Sequence, residues 1–222
     1  IEREGGNPER ETLTLVKTHR NEHFAYDEQG GLWRMYLFIE DTISRDLPDT
    51  PELFELSGEA FGKFQRQMGD FPADSLHETI RDFHNTPARY RQLEDAIARD
   101  EAGRLGNVSG EIAFCRQYER EVHTLLDALE RGEIPLRVTH NDTKLNNVLL
   151  DAQTGRGVCV IDLDTVMPGL AAYDFGDSIR FGASTAPEDE PDLSRVQLSL
   201  PMFEAFTRGF LKEAGQTLGA RE

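Results

Sequence analysis

His140-Asn141-Asp142-Thr143-Lys144-Leu145-Asn146-Asn147, followed by Val158-Cys159-Val160-Ile161-Asp162-Leu163-Asp164, is the stretch on which the fold of this chain turns. The first run sets an Asp two residues after a His and an Asn five residues after that Asp. A second Asp closes a β-rich run fifteen residues beyond the Asn. With 6 His, 18 Asp and 7 Asn among 222 residues, chance supplies roughly 0.015 copies of the first pattern. Upstream, Leu136-Arg137-Val138-Thr139 has strand composition. Downstream, Val148-Leu149-Leu150 and Val158-Cys159-Val160-Ile161 flank the turn signal Thr154-Gly155-Arg156-Gly157. The pattern therefore predicts a strand, a loop and a β-hairpin, with the hairpin laying Asp162 beside the loop.

These residue types suit phosphoryl transfer, which asks a protein for position and charge stabilisation around an in-line attack rather than for covalent chemistry. Asp142 would orient an acceptor hydroxyl and take its proton. Mg²⁺ needs hard oxygen ligands and bridges phosphate oxygens, which fits Asn147 and Asp162. Lys144 would neutralise the group in transfer, and His140 reads as a structural hydrogen-bonding residue rather than a base. Asp142 and Asn147 also favour tight turns for their own sake, so the joint pattern carries more than either alone. Asp164 reads as a turn cap in preference to a further metal ligand. Past the Pro168-Gly169 turn, Tyr173, Asp174 and Asp177 stand at the expected start of a helix, where carboxylates favour the positive end. Asp174 is read there as structural. Asp174-Phe175-Gly176 follows no strand and is not read as a metal motif.

Hydrophobic residues make up 38% and charged residues 29%, with 13 Phe, the profile of a chain that folds around one or two cores. No apolar run approaches the ~18 residues of a membrane span, and Ile1-Glu2-Arg3-Glu4-Gly5 lacks a basic-then-apolar signal, so a cytoplasmic location is expected. Cys115 and Cys159 lie in apolar-periodic segments and are expected to be reduced core thiols. The net charge of −17 repels nucleic acid and anionic membranes, so neither is expected as a partner. It repels ATP as well, so a nucleotide would need Mg²⁺ and nearby basic residues such as Lys144.

Residues 12–19 and 32–39 are β-rich and separated by Asp27-Glu28-Gln29-Gly30-Gly31, which predicts an antiparallel pair. Polar residues 40–46, with Pro48 and Pro51 beyond, have linker composition and form the candidate hinge between a unit at 1–41 and a larger one at 42–222. Helical spacing appears at Leu53, Ser57, Phe61, Phe64 and Met68. It appears again at Cys115, Tyr118, Val122, Leu125, Leu126 and Leu129, and at Val196, Leu200, Phe203, Phe206 and Phe210. Each set predicts a helix with one buried stripe, Gly209 being a mild interruption of the last. The fold class is α+β.

From about Trp33 to Phe210 the chain resembles the aminoglycoside phosphotransferase and choline kinase group, whose loop carries His-x-Asp-x4-Asn and whose metal Asp ends a nearby strand. Residues 139–147, residues 161–169 and Phe83-His84-Asn85-Thr86-Pro87 are similar to the N-acetylhexosamine 1-kinases, which phosphorylate the anomeric hydroxyl of an N-acetylhexosamine with ATP and Mg²⁺. The resemblance implies a protein kinase-like fold, with a mostly helical C-lobe carrying the catalytic-loop hairpin. It implies Asp142 as base, Asn147 and Asp162 at the metal, and Lys144 and Phe181 near the sugar or its phosphoryl group, although Phe181 alone fits a core equally well. Backbone groups around Phe38, Ile39 and Glu40 would meet adenine. The family also opens with a Gly-rich loop, a strand Lys and a helix Glu, none of which precedes Thr12, and continues with helices past Leu211. Residues 1–41 are thus expected to be the last strands and hinge of a nucleotide-binding lobe, and the 222-residue chain a fragment inactive on its own.

Rival readings are a kinase for an aminoglycoside, choline or homoserine, a non-catalytic module that keeps the fold, and a metal-dependent hydrolase built on His140 and Asp142. The last needs more ligands than the sequence offers near Asp162.

Overall fold

The computed structural model describes residues 1–222. Its elements run α1 (Pro8–Glu11), β1 (Ala25–Tyr26), β2 (Leu32–Trp33), β3 (Thr42–Ile43), α2 (Pro51–Gln67), α3 (Thr86–Arg99), α4 (Ser109–Gln117) and α5 (Thr124–Glu130). They continue with β4 (Arg137–Thr139), β5 (Val148–Asp151), β6 (Gly157–Val160), β7 (Met167–Gly169), α6 (Ala171–Gly182) and α7 (Leu200–Ala214). The strands form three small antiparallel sheets, ordered β1-β2, β3-β5-β6 and β4-β7. No helix is long and apolar enough to cross a membrane.

Thr50 caps α2 by accepting the Leu53 amide at 3.2 Å, and Pro51 fits the first turn, where its missing N–H costs nothing. The helix buries Phe54, Ser57, Gly58, Phe61, Gly62 and Gln65. Opposite lies α7, with Phe206, Phe210 and Ala214 buried, and the two enclose Leu145, Val148 and Leu150 of the loop and hairpin in one core. The predicted hairpin is present and is built on this core. The 140–147 loop therefore rests on two packed helices rather than on surface chain.

Gly209 is no interruption of α7 but its crossing point with α2. A Cβ there would lie 2.0 Å from the Glu55 carbonyl oxygen, and one on Gly58 would lie 2.5 Å from that of Phe206. The helix backbones touch. We expect Gly209→Ala to lower stability by about 1–3 kcal/mol through overpacking, outweighing the ~1 kcal/mol that alanine's helix propensity would contribute. Equilibrium urea unfolding checks it; a variant more stable than the parent would show that the helices can separate freely.

Three expectations need correction. The apolar set from Cys115 to Leu129 is split between α4 and α5 by a turn and the 3-10 helix Glu121–His123, and none of these three segments holds a fully buried residue. A stripe shared by two short helices with a break between them cannot face one core, so Cys115 is only half-buried and Tyr118 is exposed. Cys159 is buried as expected, and burial pushes its thiol up to about 11, which keeps it inert. Val196 precedes α7 and is exposed.

The third concerns the stretch read as a linker. It contains β3, which pairs with the hairpin (Thr42 opposite Asp151, Ile43 opposite Leu150) and so fixes that end of the stretch to the larger unit. The 12–19 and 32–39 runs do meet antiparallel. The Val16 amide donates to Met35 at 2.8 Å and that of Leu37 to Thr14 at 2.9 Å, while the regular ladder lies between β1 and β2. Helix α3 was not anticipated, although its signal is present: Asn85 accepts the Ala88 amide at 3.0 Å and Pro87 sits in the first turn.

Candidate active site

Strand β4 pairs with β7 and delivers the chain to His140. From there the loop is held by one face of α6, since residues at i, i+3 and i+4 share a helical face. Asp174, fully buried, accepts the amides of His140 at 3.0 Å and Asn141 at 2.8 Å and the Gln65 side-chain amide at 2.6 Å. Asp177 accepts the Thr143 amide at 2.9 Å, and Ser178 donates to the Thr143 carbonyl at 2.9 Å. Asp174, in the first turn, and Asp177, in mid-helix rather than at the start, both serve the loop amides. Complete burial pushes the Asp174 carboxyl up from the usual range, and the two backbone amides and His140 pull it back.

The His140 ring is buried against the rings of Phe61 and Phe64, with centroids 5.7 and 5.9 Å away. Its Nε2 donates to the Ile161 carbonyl at 2.8 Å and its Nδ1 accepts the Asp142 amide at 3.3 Å. Both nitrogens are committed, so His140 is a brace and is not free to ligate a metal, which removes the basis of a His140 hydrolase. The Ile161 amide in turn donates to the Asn147 carbonyl at 2.9 Å. These ties join the end of β6 to the loop, and the next residue, Asp162, turns out of the strand in the left-handed region (φ 57°, ψ 59°).

Asn147 donates its side-chain amide to the Asp142 carbonyl at 2.8 Å and to Asp142 Oδ2 at 3.1 Å. Its nitrogen is thereby spent on aiming Asp142, and its Oδ1 is left as a hard donor. Asp162 is exposed and its carboxylate makes no capping bond. One amide oxygen and one carboxylate, with phosphate oxygens to complete the shell, is a set that could hold Mg²⁺. Lys144 Nζ lies 3.6 Å from Asp142 Oδ1 and 5.7 Å from the centroid of the Phe181 ring, so Asp142, Lys144 and Phe181 form one group. The Asp164 carboxylate, expected to be a cap, pairs instead with Arg34.

The Phe38, Ile39 and Glu40 segment lies where residues 32–39 run into β3. Phe38 is exposed; the Ile39 carbonyl accepts the Thr42 hydroxyl and the Glu40 carbonyl accepts Arg10, each at 2.8 Å. Each carbonyl has one donor and keeps a second lone pair for another.

A family model described as the phosphotransferase enzyme family matches residues 15–213, from the first β-rich run through most of α7. The chain belongs to the phosphotransferase enzyme family. As a member of that family it is an enzyme that moves a phosphoryl group to a hydroxyl acceptor, and the α+β architecture is that of a kinase-like fold. The match spans the loop, the hairpin and the helix that braces them, so this phosphotransferase carries Asp142, Lys144, Asn147 and Asp162 within its family region. Sequence reasoning missed the brace formed by Gln65, Thr143, Asp177 and Ser178. The polar stripe Asp174, Asp177 and Ser178, at i, i+3 and i+4 of one helix face, is the signal that could have shown it.

Proposed function

We propose that this phosphotransferase is an ATP- and Mg²⁺-dependent small-molecule kinase whose acceptor is a sugar hydroxyl, the anomeric hydroxyl of an N-acetylhexosamine in particular. The observation that carries the reading is the double hydrogen bond from Asn147 to Asp142. It couples the residue suited to take a hydroxyl proton to one suited to hold the metal, as an in-line transfer between ATP and alcohol requires.

Asp142 receives the hydroxyl proton as the oxygen attacks the γ-phosphorus and the bond from that phosphorus to the β,γ-bridging oxygen breaks, with ADP as the leaving group. Lys144 offsets charge on the phosphoryl oxygens. Asn147 Oδ1 and Asp162 would hold Mg²⁺, which when bound would supply charge neutralisation at the phosphates. Phe181 offers its ring to the apolar face of a sugar. Residues 1–41 contribute the hinge side of the nucleotide site through Phe38, Ile39 and Glu40, and residues 42–222 the catalytic side.

The enzyme supplied with Mg²⁺ and ATP should phosphorylate N-acetylglucosamine or N-acetylgalactosamine at the anomeric position, as ³¹P NMR of the product would show. Preference for an aminoglycoside, choline or homoserine would refute the sugar assignment while keeping the kinase. For the metal, we expect Asp162→Ala to raise the Mg²⁺ concentration for half-maximal rate at least about tenfold, since one of two protein ligands is lost. An unchanged Mg²⁺ dependence would remove Asp162 from the metal.

A further inference from the structure

We propose that His84 is a positioning residue for Asp142, acting through the peptide bond between Asn141 and Asp142. The inference rests on the kinase reading above, in which the aim of Asp142 sets the rate. Both ends of that peptide plane are gripped by histidine rings. The Asn141 carbonyl accepts from His84 Nε2 at 2.9 Å, across 57 residues of sequence, and the Asp142 amide donates to His140 Nδ1 at 3.3 Å. A peptide unit is planar, so holding its oxygen and its nitrogen fixes the plane, and the Asp142 Cα is bonded to it.

Asn141 has a conformation that needs such a grip. Its φ is +67°, in the left-handed region that side chains other than glycine use sparingly. Its remaining polar groups are already engaged. Asp174 takes the amide, and the side chain bonds Thr139 and Thr165. The carbonyl is the last group left, and His84 is its partner.

The His84 ring is itself set in place by Phe83 and Tyr173, with centroids 4.6 and 5.4 Å away. Because a carbonyl only accepts, His84 Nε2 carries the hydrogen. His84 sits ahead of α3 and its polar contact is with the Asn141 carbonyl, so its contribution is assigned to the direction of Asp142.

Loss of this contact lets the plane turn, and misplacement of a reacting group by about 1 Å costs up to about 10²-fold. His84→Phe keeps an aromatic ring for Phe83 and Tyr173 and removes the donor; His84→Gln restores an N–H donor. We expect kcat to fall about 10- to 100-fold in His84→Phe, with KM for ATP and acceptor within about twofold of the parent, and His84→Gln to recover most of the loss. An unchanged kcat in His84→Phe, equal losses in the two variants, or a raised KM at full kcat would each overturn the proposal. ¹⁵N NMR of the unsubstituted protein decides the contact without turnover or a variant: a hydrogen on His84 Nε2 is expected, and a neutral ring protonated only on Nδ1 would overturn it. If the unsubstituted enzyme phosphorylates no alcohol, it is the proposed function that fails, and the ring protonation still decides whether His84 holds the Asn141 carbonyl.

Discussion

Asp142→Asn lowers kcat by about 10²- to 10⁴-fold while ATP binding is retained, the range for loss of a positioned general base. The substitution separates chemistry from turn formation, because asparagine suits a tight turn as well as aspartate does. The loop around position 142 is held by groups the change leaves alone: Asp174 on the two preceding amides and His140 on the amide of residue 142. An asparagine oxygen can still accept from Asn147, as Asp142 Oδ2 does now at 3.1 Å. What disappears is the capacity to take a proton and the negative charge 3.6 Å from Lys144. Steady-state rates with the acceptor, together with calorimetric titration of ATP, check the result. Turnover within about twofold of the parent would mean that residue 142 only shapes the loop.

The loop and hairpin were legible because their residues are neighbours in sequence: strand, loop, strand, turn and strand follow one another, and a local hydrogen-bond pattern fixes Asp142, Asn147 and Asp162. The stripe of α2 was legible in part: Ser57 and Phe61 are buried, Leu53, Phe64 and Met68 are half-buried, and Phe54 and Gln65 carry the rest of the buried face. Two kinds of feature were not legible. The apolar set at 115–129 has helical spacing, yet the chain breaks inside it, and periodicity reports neither the break nor the lack of a covering layer. The residues that brace the loop act across 31 to 109 positions of sequence, as in Asp174 with Gln65 or Thr143, and nothing near Gln65 or His84 in the chain announces a partner so distant. Gly209 looked like a flaw in a helix because the Glu55 carbonyl that requires it belongs to another element.

Asp174→Ala should cost on the order of 2–6 kcal/mol of folding stability, against the 5–15 kcal/mol typical of a whole domain. The carboxylate is fully buried and is the acceptor for two backbone amides, those of His140 and Asn141. Removing it strands both, at about 1–3 kcal/mol each, in a space that alanine does not fill. The Gln65 amide loses one of its two acceptors and keeps the Val138 carbonyl at 3.2 Å, while its oxygen is already buried without a partner. Asp174→Asn will not rescue the site. Both carboxylate oxygens now accept N–H groups, so either orientation of an asparagine amide turns an NH₂ toward a donor. The two variants should therefore both unfold at lower urea, the alanine variant more so, and should lose activity together with the ordered loop. Stability of Asp174→Asn equal to the parent would mean that the position is held by packing alone, and that the loop carrying Asp142 is aimed by other bonds.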